Sequence, residues 1–139
     1  MKLQILTGVF VMIGNMVLGQ DLKFEPYEFE ARDGRKVEAE LGTLMVRENR
    51  DNPDTRILKI KLVRFKSTSE NPGSPIVYLA GGPGGSGIAA ARGSRFDMFM
   101  ALRQMGDVIA LDQRGTGMSD GFPNYNGYWL NDPSQPLFA

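Results

Sequence analysis

Five glycines fall within the seven positions Gly81 to Gly87, directly after the apolar run Ile76-Val77-Tyr78-Leu79-Ala80. An unbroken apolar run of that length suits a strand buried on both faces, as in a parallel sheet. The glycines that follow permit positive φ and close approach of backbone N–H groups to a ligand. A second such run, Asp107-Val108-Ile109-Ala110-Leu111, predicts another buried strand. Between the two, the spacing predicts one helix from Arg95 to Met105. Ser94 with Asp97 makes a capping box, Met98, Leu102 and Met105 share a face, and Gly106 takes the C′ position. Strand, loop, helix and strand within the 36 residues from Ile76 to Leu111 form one right-handed βαβ unit.

The preceding segment has a different texture. Phe24 to Arg47 alternates loosely, Asp33-Gly34 marks a turn, and Val37, Ala39 and Leu41 sit two apart between charged residues, the pattern of half-buried strands. Leu58, Ile60 and Leu62 repeat that spacing within a strand read from Arg56 to Phe65, and Ser67 to Pro75 is a polar connection. The fold class expected is therefore α/β, with antiparallel leading strands over 20–75 and a βαβ unit opening the segment 76–139.

The termini carry other signals. Lys2 precedes an apolar stretch, Leu3 to Leu18, and Val17-Leu18-Gly19 resembles a signal-peptidase site, so residues 1–19 are expected to be a cleaved signal peptide and the mature chain to be exported to the periplasm or the medium. Gln4 and Asn15 interrupt the stretch, which argues against a stable membrane anchor. Beyond Ser119 no periodic run is long enough to predict an element.

Composition limits the chemistry. The chain has no Cys, which excludes disulfides, thiolate metal sites and a cysteine nucleophile, and no His, so a Ser-His-Asp triad cannot be completed within these 139 residues. Sixteen basic residues balance sixteen acidic ones without a basic block, which gives no reason to expect nucleic acid as a partner.

Three chemistries fit the glycine loop. It could cradle a phosphate, form an oxyanion hole, or serve as a tight structural turn. A Walker loop needs Lys and then Ser or Thr, whereas Ile88-Ala89 follow here. A dinucleotide fingerprint can be laid on Gly82, Gly84 and Gly87, with Asp112 as the ribose-binding acid, although Pro83 stiffens the turn and has no N–H. Ala80 to Gly87, followed some way on by Asp112-Gln113-Arg114-Gly115-Thr116-Gly117-Met118-Ser119, resembles the paired HGGPG and DQRGxGxS motifs of proline iminopeptidases. Gly42 to Arg50 (GTLMVRENR) is similar to a GTLxVPENR segment of secreted relatives that include tripeptidyl-aminopeptidase-like hydrolases. The chain departs from those patterns at Ala80, where many iminopeptidases carry His, and at Leu41 and Arg47, where relatives carry Cys and Pro.

The resemblance implies an α/β-hydrolase sheet, of which this chain is the N-terminal part, and an exported serine peptidase that releases N-terminal residues or short peptides through an acyl-enzyme, with neither metal nor organic cofactor. It assigns the backbone of Gly81 and Gly82 to the oxyanion hole. Pro83, Gly84, Gly85, Asp112, Gln113, Arg114 and Gly115 become loop supports. Peptide or small acyl compounds are the implied substrates. No catalytic residue is expected in this chain, because in the resembling family the nucleophile, acid and His come later. Gly117-Met118-Ser119-Asp120-Gly121 matches a nucleophile elbow letter for letter but lacks the strand before and the helix after it, so Ser119 is not expected to be the nucleophile, nor is Ser86. The rival expectations are a noncatalytic secreted binding domain and an esterase or epoxide hydrolase of the same superfamily.

Overall fold

A computed structural model describes residues 22–121 apart from position 83. The expected signal peptide, Pro83 and the segment after Gly121 lie outside the described residues. Strands β1 (Leu22–Glu30), β2 (Lys36–Arg47) and β3 (Ile57–Phe65) form an antiparallel meander, followed by β4 (Ile76–Leu79), helices α1 (Gly87–Arg92) and α2 (Phe96–Leu102), and β5 (Val108–Leu111). The five strands make one mixed sheet in the order β1-β2-β3-β5-β4, with β4 parallel and β3 antiparallel to β5. This is an α/β arrangement, with the antiparallel front and parallel back that the sequence predicts.

Alternation decides which face each strand buries. Phe29, Ala39, Val63, Phe65, Val108 and Ala110 point to one side, where Ile88 and Ala91 of α1 and Phe96 and Phe99 of α2 cover them. The centre of that layer is aromatic: Phe29 meets Phe65 edge-on at 4.8 Å between centroids, and Phe99 meets Tyr78 at 5.1 Å. Edge-to-face pairs of this kind contribute ~0.5–1.5 kcal/mol each beyond their buried area. On the other side the register aligns Phe24, Gly42, Leu62, Leu111 and Leu79 in one row across all five strands.

Three local expectations are corrected. Residues 87–105 hold two short helices instead of one, because the glycine loop runs directly into α1 and the chain breaks at Gly93 before α2. The Ser94–Asp97 capping box does not form: Arg95 is the N-cap of α2 without a side-chain bond, and Asp97 pairs with Arg35 at 2.6 Å. The buried face of α2 is led by Phe96 and Phe99, with Met100 and Leu102 packed beside them; of the expected face Leu102 alone meets the core, since Met98 and Met105 are 38% and 65% exposed. Phenylalanine rings three residues apart bury more apolar area than the thioethers, and they set the helix rotation.

The fourth correction concerns β4. It is an edge strand, and Val77 and Leu79 are 54% and 55% exposed, so burial on both faces holds nowhere along it. Among the described residues no strand pairs with the outer edge of β4.

Candidate functional site

Parallel pairing places the ends of β4 and β5 side by side, Leu79 opposite Leu111, so the loops that follow them meet. The first is the glycine loop. Gly81 and Gly82 lie exposed at its crest, Gly82 has φ +79°, and Gly84 has φ +78°. A turn closes where the Gly85 amide donates to the Gly82 carbonyl at 3.3 Å. No carbonyl among the described residues accepts from the Gly81 or Gly82 amide.

Asp112 anchors that loop. Its side chain is wholly buried, and both carboxylate oxygens are engaged. Oδ1 accepts from the Ser86 hydroxyl at 2.6 Å and the Ile88 amide at 3.0 Å, and Oδ2 accepts from the Met118 amide at 2.8 Å. A buried carboxylate needs such partners, since an unpaired one carries a large desolvation cost. Ser86 also caps α1, accepting from the Ala89 amide at 2.9 Å. The dinucleotide interpretation is thereby corrected: Asp112 is enclosed and its oxygens are occupied, which leaves none for a ribose.

Close approach depends on two glycines. A Cβ on Gly87 would lie 2.3 Å from the Leu111 carbonyl oxygen, so only glycine lets α1 start against β5. Gly117, at φ +52°, would place a Cβ 2.0 Å from Asp112 Oδ2. Sequence reasoning places Gly87 only in a dinucleotide fingerprint and Gly117 only in a turn, and neither reading names the contact that requires glycine. The spacing of Gly115 and Gly117 gives only a turn signal, and the partner that makes Gly117 indispensable lies in the adjoining buried strand end.

The second loop, residues 112–121, completes the edge of β3 that β5 leaves uncovered. The Asp112 amide donates to the Lys61 carbonyl at 3.0 Å and the Asp120 amide to the Lys59 carbonyl at 2.9 Å. In return the Lys61 amide donates to Ser119 Oγ and the Lys59 amide to Asp120 Oδ2, both at 2.8 Å. Side chains thus stand in for a sixth strand and satisfy backbone groups that would otherwise be unpaired. The Ser119 hydroxyl itself donates to the Asp112 carbonyl at 2.6 Å. Ser119 is fixed in a turn by both its hydroxyl bonds, without the strand-to-helix geometry of a nucleophile elbow.

The remaining predicted supports separate from the glycine loop. Gln113 is exposed, and its carbonyl accepts from the Thr116 amide and hydroxyl at 3.0 and 2.9 Å. Gly115, at φ +77°, donates to the Asp120 carbonyl at 3.0 Å. Arg114 reaches away to the Glu48 carbonyl at 3.1 Å. The Glu48 carboxylate is gripped by Arg56, whose guanidinium also donates to the Gly121 carbonyl at 2.8 Å. That Arg56 hydrogen bond holds the Glu48 carboxyl below its ordinary value. The three sequence segments singled out, 42–50, 80–87 and 112–119, are consequently joined by hydrogen bonds, with 112–119 in the middle.

A cleft of ≈ 420 Å³ opens beside the loop and is lined by Tyr78, Gly81, Gly85, Ser86 and Arg95 among others. A larger one of ≈ 710 Å³ lies between the β1–β2 hairpin and Lys66 and Arg103, and no residue of the glycine loop lines it. The smaller cleft is the one beside unengaged backbone donors, so size does not locate the site. Among the described residues no group of three acidic side chains could hold a metal ion.

No protein-family profile matches the chain. Over 78 residues it is 36% identical to serine protease Hip1 of Mycobacterium bovis and, to the same extent, to serine protease Hip1 of Mycobacterium tuberculosis. The shared stretch covers 56% of this chain and 15% of each relative, so the chain spans about a seventh of the curated proteins it matches.

Proposed function

We propose that the chain is the N-terminal part of an exported serine hydrolase of the α/β-hydrolase kind, most closely an aminopeptidase that releases N-terminal residues or short peptides. The carrying observation is the pair of unengaged amides at Gly81 and Gly82, held at the ends of the parallel strands by the buried Asp112. The likeness to a serine protease over more than half of the chain supports hydrolase chemistry in particular.

Acyl transfer turns a planar carbonyl into a tetrahedral centre with charge on oxygen. Donors already in place stabilise that oxygen without reorganising, and losing one costs roughly 3 kcal/mol of barrier in enzymes where it has been removed. In this reading Gly81 and Gly82 supply the donors, while the serine nucleophile, its His base and the acid come from sequence beyond Ala139. A leader over residues 1–19 delivers the protein outside the cytoplasm.

The test is fluorophosphonate labelling of the native protein, with intact mass and peptide mapping. The expected result is one labelled serine downstream of Ala139, together with hydrolysis of aminoacyl p-nitroanilides that have a free amino group, and no label on residues 20–139 expressed alone. Stoichiometric labelling of a serine within those residues would sink the proposal. A native product that ends at Ala139 and takes no label would favour a noncatalytic binding domain instead.

A further inference from the structure

Sequence reasoning sets Ser86 aside as a nucleophile and assigns it nothing else. Its surroundings give it a more particular place. The hydroxyl donates to Asp112 Oδ1 at 2.6 Å and accepts from the Ala89 amide at 2.9 Å, so one oxygen joins the first turn of α1 to the end of β5. The Ile88 amide reaches the same carboxylate oxygen at 3.0 Å. Gly117 packs so closely that a Cβ there would lie 2.7 Å from Ser86 Oγ. Ser86 therefore has one tightly defined position, one residue beyond Gly85, and the Gly82–Gly85 turn hangs directly from it.

On the far side the loop is held only by the strand that leads into it. Gly81 and Gly82 are exposed, and a Cβ built on either meets nothing within 4 Å. Among the described residues the crest meets the rest of the loop only at Gly85, whose amide donates to the Gly82 carbonyl, so its height above the sheet depends on its two ends. One end is Leu79 of β4, paired with Leu111, and the other is Ser86.

We infer that Ser86 is a positioning residue for the Gly81 and Gly82 amides, acting through its shared hydrogen bond with the buried Asp112 carboxylate. It does not touch the reacting atoms. This inference rests on the oxyanion-hole reading of the loop for its kinetic consequence and on the coordinates alone for its structural one. A donor misplaced by about an ångström loses much of its effect on a transition state while still tolerating the ground-state substrate.

The experiment uses the native full-length protein and the variants Ser86→Ala and Ser86→Thr. Aminoacyl p-nitroanilide kinetics should show kcat falling roughly 10- to 100-fold in S86A with KM little changed, in keeping with the cost of misplaced catalytic donors. S86T keeps the hydroxyl on an extended backbone that suits a β-branched residue, and should recover most of kcat. Amide hydrogen exchange is read in parallel. Exchange at Ile88 and Ala89 should accelerate in S86A and return towards wild type in S86T. A kcat unchanged in S86A, a KM rise in place of a kcat loss, or unaltered exchange at both amides would overturn the inference. So would a covalent fluorophosphonate adduct on Ser86, which would make it the nucleophile. If the wild-type protein hydrolyses nothing, the hydrolase reading fails, and the exchange result still decides whether Ser86 holds the loop.

Discussion

Replacing Gly117 with alanine tests whether the contact with Asp112 holds the two loops together. Two costs arise. The backbone sits at φ +52°, where an L-side chain costs about 1–2 kcal/mol. The new Cβ would also stand 2.0 Å from Asp112 Oδ2, 2.6 Å from its Cγ and 2.7 Å from Ser86 Oγ, so the carboxylate must move and give up its bond from the Met118 amide. A hydrogen bond to a charged group is worth ~1.5–3 kcal/mol, which brings the total loss to about 2.5–5 kcal/mol. For a domain of about this size each kcal/mol moves Tm by roughly 4–8 °C, so G117A should melt at least ~10 °C below wild type. Gly34→Ala is the control: its φ is +86°, but a Cβ there meets nothing within 4 Å, so only the backbone cost applies. Thermal unfolding followed by far-ultraviolet circular dichroism gives both values. Melting of G117A within ~3 °C of G34A would refute the crowding argument, since that gap leaves under about 1 kcal/mol for Asp112.

Two further outcomes follow from features away from the loops. Gly42→Ala would push a Cβ to 2.6 Å from Leu62 Cδ1 and 2.9 Å from Phe24 Cε1, and this overpacking should cost ~1–3 kcal/mol, seen as a lower urea midpoint at unchanged slope. The Glu40 carboxyl is held below its ordinary 4.5 chiefly by the Lys66 hydrogen bond and then by Arg64. A depressed folded value adds stability above the unfolded value, and that stability drains away as pH falls below 4.5 through the folded one. Glu40→Gln should therefore flatten the acid limb of the stability–pH curve, and an unchanged limb would contradict the pairing.

Much of the sheet can be read from periodicity. Val37, Ala39 and Leu41, and then Leu58, Ile60 and Leu62, mark β2 and β3 because a half-buried antiparallel strand leaves a two-residue repeat. The run at Ile76 marks β4 but overstates its burial, since an apolar run reports the preference of the residues and not whether partners exist to cover Val77 and Leu79. The helices are harder to read. Six residues of α1 carry little periodic signal after a glycine-rich start, and α2 offers two competing faces, methionine and phenylalanine, at similar spacing. At the site, the Asp112 side chain meets Ser86 from 26 positions away, and no local pattern reveals such a pairing. Arg114 lies two residues from Asp112 yet reaches a carbonyl 66 positions upstream, which shows how a short motif can serve two separate contacts.

The strand order has a consequence for synthesis on the ribosome. Among the described residues β4 pairs only with β5, which emerges after it, while β1–β2 and β2–β3 join sequence neighbours. The leading meander can form as soon as it is made, at ordinary elongation rates of ~5–20 residues per second. β4 must wait unpaired for β5, and the glycine loop must wait one residue longer, for Asp112. A stall placed between Leu79 and Asp112 would hold a nascent chain whose first three strands are in register and whose glycine loop still has nothing to fold against.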